Sequence, residues 1–170
     1  NSLTYRGYTV QELCEKCSFE EVAYLVINGE LPNKNQLKKF IKEERSNRKL
    51  SKQIIKDIEK MPKKAHPMDV TRTVISLMSL EDKDVKDNSP KANMQKTMRI
   101  FAKTPTAVAA YFRSRKGKKV INPSSKLSFS ENFFHMMFNK VPDKEIVKAF
   151  DVSLILYAEH SFNVSTFTAR

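Results

Sequence analysis

The chain has 170 residues, 40% hydrophobic and 29% charged, which is enough for one domain with a real core and argues against disorder. Its 31 Lys and Arg outnumber 19 Asp and Glu, a net charge of +12, but the excess is mostly lysine spread along the chain. Only "RSRKGKK" (Arg113 to Lys119) is dense, and no zinc-finger spacing or RNA-binding aromatic motif accompanies it, so nucleic acid is not an expected partner.

No apolar run approaches the roughly 18 residues of a membrane span. No basic-then-apolar leader precedes the first patterned segment, and a membrane partner is not expected. The three glycines, Gly7, Gly29 and Gly117, exclude a dinucleotide-binding fingerprint and a phosphate-binding P-loop, and they favour helices over a turn-rich sheet protein.

In chain order, "LTYRGYTV" alternates as a strand pair does. Cys14 and Cys17 then form a C-x-x-C. A zinc site needs about four ligands and no second cysteine pair exists, so both are read as reduced, small, half-buried residues, and no metal is expected. "SFEE" (Ser18 to Glu21) is a capping box. Its helix runs through Val22, Leu25 and Val26 and stops at Gly29. "NKNQ" starts a further helix with Leu37, Phe40 and Ile41 on one face. The next carries Ile54, Ile55 and Ile58. "HPMD" places Pro67 in a first helical turn and Asp69 near its positive end, with Val70, Val74, Leu77 and Met78 buried.

"NSP" opens a long helix through Met94, Met98, Phe101, Val108 and Phe112, and Pro105 is expected to kink it. "RKGKKVINPSSKLS" reads as a plain connection rather than a mobile basic loop. "SENFFHMMF" is a short apolar helix in which His135 packs. The last helix, from Pro142, turns Ile146, Val147, Phe150, Leu154 and Ile155 inward. The chain is therefore all-α, with at most a small N-terminal β-hairpin, and is read as a single partial domain over residues 1–170. Its final stretch, "LILYAEHSFNVSTFTAR", gathers polar groups at the end of an apolar helix. His160 there has the chemistry to bind a carboxylate or polarise a ketone, and Asn163 follows about one turn later if the helix continues.

Five stretches in this order resemble the citrate synthase family: "LTYRGYTVQEL", "SFEEVAYLVINGELP", "AHPMDVTRTVISLMS", "ENFFHMMF" and "LYAEHSFNVSTFTAR". The resemblance implies a multi-helical, homodimeric, cytoplasmic enzyme that condenses an acyl-CoA with a 2-oxo acid, usually oxaloacetate. The acyl-CoA is a substrate and no cofactor is bound. It further implies that His160 holds oxaloacetate with Asn163 beside it, and Arg48, in "RKLS", is a further candidate carboxylate contact. His66 is read as a helix cap.

The reaction needs a base, a donor for the enolate oxygen and an acid. The family supplies them as two histidines and an aspartate in motifs that lie beyond the segment matching Arg170. On this reading no catalytic residue lies in this chain, which corresponds to the N-terminal part of the large domain, truncated, and is inactive alone. "YAEH" with Tyr157, and "HPMDVTRT", are more like 2-methylcitrate synthases, which use propionyl-CoA. Ser161 stands where the family has Glu, which keeps a degenerate synthase paralogue open. A non-catalytic basic helical partner-binding module is the alternative from another class.

Overall fold

The structure, a computed structural model, describes residues 3–159. Among them the chain forms eight α-helices and one two-stranded sheet, as the helix-rich sequence leads one to expect. β1 (Thr4–Tyr5) and β2 (Tyr8–Thr9) pair antiparallel, Thr4 opposite Thr9 and Tyr5 opposite Tyr8. The two-residue connection puts Arg6 (φ 51°) and Gly7 (φ 90°) in the left-handed region. That is the backbone a tight hairpin with right-twisted strands requires. Glycine adopts it freely, whereas Arg6 does so at a cost of roughly 1–2 kcal/mol.

The helices start where their caps are. α1 (Val10–Lys16) begins at Thr9, whose hydroxyl accepts from the Glu12 amide. α2 (Phe19–Asn28) has the full Ser18–Glu21 capping box and ends at Gly29, φ 92°. α3 (Lys34–Asn47) is opened by a reciprocal pair: the Gln36 amide donates to the Asn33 side chain, and the Asn33 amide donates to the Gln36 side chain. α4 (Lys52–Lys60) is capped by Ser51 and α5 (Pro67–Leu80) by His66. α6 (Pro90–Arg115) is capped by Ser89. α7 (Phe129–Phe138) has a second capping box, Ser128 with Glu131, and α8 (Lys144–Leu156) follows.

The described residues group into two compact units, with the division falling inside α3. One unit takes residues through Phe40 and those from Asp143 onward, and in it α8 packs on α1 and α2. Tyr5, Leu13, Val22, Leu25 and Ile155 are fully buried there. The other unit, Ile41–Pro142, is organised on α6, which contacts α4, α5 and α7. Its core joins Leu50, Ile54, Ile58, Val70, Val74 and Met78 to Ala107, Ala110 and Tyr111. Each buried Ile or Val contributes roughly 1.5–3 kcal/mol.

Two expectations change. Met94 is 45% exposed, because the buried stripe of α6 runs through Ala92, Met98, Ala102, Thr106 and Ala109 and leaves Met94 outside it. Small side chains on that stripe let neighbouring helices approach closely. Ile146 is 50% exposed, since the inward row of α8 is Val147, Asp151 and Ile155, four residues apart. Pro105 lies inside α6 and removes one amide from its ladder. No helix among the described residues is long and apolar enough to cross a membrane.

Candidate functional site

The last two residues of α8 are held by a tyrosine from the other end of the chain. α8 ends at Leu156, and its last carbonyls have no partner within the helix. The Tyr5 hydroxyl donates to two of them, Ile155 at 2.8 Å and Leu156 at 3.0 Å. Tyr5 is itself only 2% exposed. Burial raises its phenol above the ordinary range; the Glu159 backbone opposes that shift, and the Glu159 carboxylate adds to it. The hairpin thus holds the end of α8.

A second clamp holds the same helix. Asp151 on α8 accepts a 2.9 Å hydrogen bond from the Phe19 amide in the first turn of α2. A buried carboxylate there satisfies a free donor and meets the positive end of the helix dipole. Between the hairpin and the end of α8 lies a cleft of about 320 Å³ lined by Thr4, Tyr5, Arg6, Val26 and Glu159. Arg6 is its exposed cation, carried by the left-handed turn, and a guanidinium there can meet a carboxylate.

His160 and Asn163 lie outside the described residues. The end of α8 at Leu156 means that the described helix stops four residues before His160, and Tyr157, 81% exposed, is its C-cap. Arg48 belongs to the other unit and is 1% exposed. Its guanidinium donates to Glu44 from Nε and Nη2, at 2.8 and 2.7 Å, and from Nη1 to the carbonyls of Ser124 and Leu127 at 2.7 and 3.0 Å. The carboxylate that Arg48 contacts is therefore Glu44, and its remaining donors pin the 116–128 connection. Burial raises the Glu44 carboxyl, and Arg48 partly offsets that.

His66 is the cap of α5, its Nδ1 accepting from the Met68 amide at 3.2 Å. His135 is half-buried in α7. Cys14 and Cys17 are free and half-buried, as read from the sequence. Tyr5, Asp151 and Arg6 were not singled out from the sequence. The first two act on partners 150 and 132 residues away, and no local spacing signals that. The turn at Arg6–Gly7 was the one available hint for Arg6.

The described residues are thus an all-α fold whose last helix is held by Tyr5 at its end and by the Phe19 amide in its middle. The family model described as "Citrate synthase, C-terminal domain" matches residues 1–170. The chain is 48% identical over 170 residues to a citrate synthase from Mycolicibacterium smegmatis, covering all of this chain and 45% of that one. It is 49% identical to a 2-methylcitrate synthase from Mycobacterium tuberculosis, covering all of this chain and 43% of the relative. A crystal structure of citrate synthase from Pyrobaculum aerophilum superposes with a TM-score of 0.89 at 31% identity, over 96% of this chain and 43% of that one. The chain belongs to the citrate synthase family. It spans less than half the length of the relatives it matches.

Proposed function

We propose that the full-length protein containing this chain condenses an acyl-CoA with oxaloacetate and releases CoA, and that residues 1–170 contribute to holding the 2-oxo acid. The family match over the whole chain carries this reading, with relatives named for that chemistry at 48 and 49% identity. In the reaction a base takes a proton from the carbon beside the thioester. The resulting enolate attacks the ketone carbon, and hydrolysis of the thioester frees CoA. In this chain His160 is the donor to the ketone or a carboxylate of oxaloacetate, with Asn163 beside it. Arg48 acts at one remove, by fixing the connection that its Nη1 holds. The base, the enolate donor and the acid come from outside residues 1–170. The full-length protein is a cytoplasmic homodimer on the same family grounds.

Propionyl-CoA is the favoured acyl donor, giving 2-methylcitrate. Tyr157 and the "HPMDVTRT" helix support it, while the relatives' names divide between the two activities. The test is release of free CoA thiol by the full-length protein with oxaloacetate and either thioester. A larger kcat/KM with propionyl-CoA is expected, and no turnover by the 170-residue chain alone. Turnover by that chain above a blank contradicts the assignment of the base to other residues. Ser161 favours a second reading, a synthase paralogue with weakened activity. Absence of turnover in the full-length protein, restored by Ser161→Glu, would select it.

A further inference from the structure

The C-x-x-C has a place in the fold that the condensation reaction does not use. Cys14 lies in the last turn of α1, and Cys17 is that helix's C-cap. The Cys17 amide still donates to the Leu13 carbonyl at 3.0 Å, so its Cα remains on the helical spiral. Three residues of helix place two Cα atoms about 5 Å apart on one face. That falls inside the range of about 4.4–6.8 Å that a disulfide spans. Their Cβ atoms, about 5–6 Å apart in a regular helix, need to close to about 4 Å. Cys17 is not held in regular helical geometry, since its φ of −115° already sets its Cβ off the helical position.

Both thiols are half-buried and unpaired, and the 170 residues contain no other cysteine. Their charged surroundings come from three elements. Lys148 on α8 reaches the Cys14 carbonyl at 3.2 Å, which puts one ammonium beside both sulfurs. Lys16 and Glu21 flank Cys17. Burial holds both thiols above the ordinary range, which keeps them as stable thiols under reducing conditions.

We propose that Cys14 and Cys17 form a reversible intramolecular disulfide, a redox-responsive clip joining the end of α1 to the start of α2, made by exchange with a small-molecule disulfide. Cys14 is the attacking thiol, since Cys17 faces the Glu21 carboxylate. The Cys14 thiolate attacks one sulfur of oxidised glutathione and expels one glutathione thiolate, leaving a mixed disulfide. The Cys17 thiolate then attacks the Cys14 sulfur and expels the second. Two protein thiols are oxidised, one glutathione disulfide is reduced to two thiols, and the two protons pass to the leaving groups. The clip draws Cys17 toward Cys14, so it acts on the α1–α2 junction that Lys148 ties to α8.

The full-length protein is equilibrated in glutathione buffers of rising oxidised share, quenched by alkylation and digested with trypsin. Cleavage after Lys16 separates the two cysteines, so Gly7–Lys16 and Cys17–Lys34 stay together only if the disulfide exists. The expected result is that the linked pair accumulates while alkylation of both cysteines is lost together, at one midpoint. In Cys17→Ser, a stable glutathione adduct on Cys14 is expected. Alkylation of both cysteines at every ratio, a cross-link from either peptide to a third, or persistent glutathione adducts on the unmutated pair would overturn the proposal.

Discussion

Arg48 shows how far a side chain's position can depart from its sequence context. It follows α3 in a lysine-rich stretch, yet it continues the buried row Phe40, Glu44, Arg48 and is 1% exposed. A buried ion pair of this kind adds little compared with apolar packing, but breaking it strands a charge. Arg48→Ala is expected to cost about 3–5 kcal/mol, read from urea midpoints. The pair Arg48→Met with Glu44→Leu should recover most of that loss, and a double substitution as damaging as the single one would contradict this account. At His160 the expected effect is on binding. On the role proposed for His160, His160→Ala in the full-length protein would remove a charge-assisted hydrogen bond worth roughly 1.5–3 kcal/mol. Oxaloacetate should bind about tenfold to a hundredfold more weakly, with acyl-CoA affected less. Titration calorimetry that finds oxaloacetate affinity unchanged in a folded variant would make the histidine structural.

Among the elements, α8 is held by contacts from outside itself. Asp143 caps it without a side-chain hydrogen bond. Tyr5 donates to its last two carbonyls, of which Ile155 also accepts from the Ala158 amide, and Asp151 ties its middle to α2. Tyr5→Phe keeps the ring and removes the donor, so it should cost about 1–3 kcal/mol and speed amide exchange in the last turn of α8. Exchange unchanged there would mean the hydroxyl is dispensable. Ser18→Ala removes the hydroxyl side of the α2 capping box and should cost about 1 kcal/mol. Its damage should stay local to α2, whereas Tyr5→Phe should be felt at both ends of the chain.

For the whole molecule, charge enters through pH. Burial pushes Asp82 up, but the Asp84 backbone and the Arg99 guanidinium, at 2.9 Å, outweigh it, and the carboxyl sits below its ordinary range. Asp87 also lies below its ordinary value, through hydrogen bonds from the Ser89 backbone and side chain. A depressed carboxyl means the unfolded chain binds more protons. The stability it adds is present above the ordinary value and is lost as pH falls through the folded one. Glu44 has the opposite sign: it is raised by burial, so its contribution is full below its ordinary value and fades as pH rises through the folded one. Urea midpoints followed against pH should therefore fall on acidification below the ordinary aspartate range, less so in Asp82→Asn. Above the ordinary glutamate range the Glu44 contribution should decline, and Glu44→Gln should flatten that decline. An acid limb identical in Asp82→Asn would remove Asp82 from the account.

What could be read from the order of amino acids was local. Ser18 with Glu21, Pro67 behind His66, and Gly29 after Asn28 each act within one helical turn, so a few adjacent residues carry the whole signal. The small N-terminal hairpin and the helical content were legible for the same reason. The family resemblance extended this to membership of the citrate synthase family, because it rests on motifs in order. The tertiary structure alone decided which groups meet across 132 or 150 residues: Asp151 with the Phe19 amide, and Tyr5 with the end of α8. It also decided that Arg48 is spent on Glu44 and two carbonyls, and that alanines rather than Met94 form the packed face of α6. Periodicity tells that a helix has an apolar side. Which stripe of that side is covered depends on the shape of the helix laid against it, and a buried charge is tolerated only where distant groups converge to satisfy it.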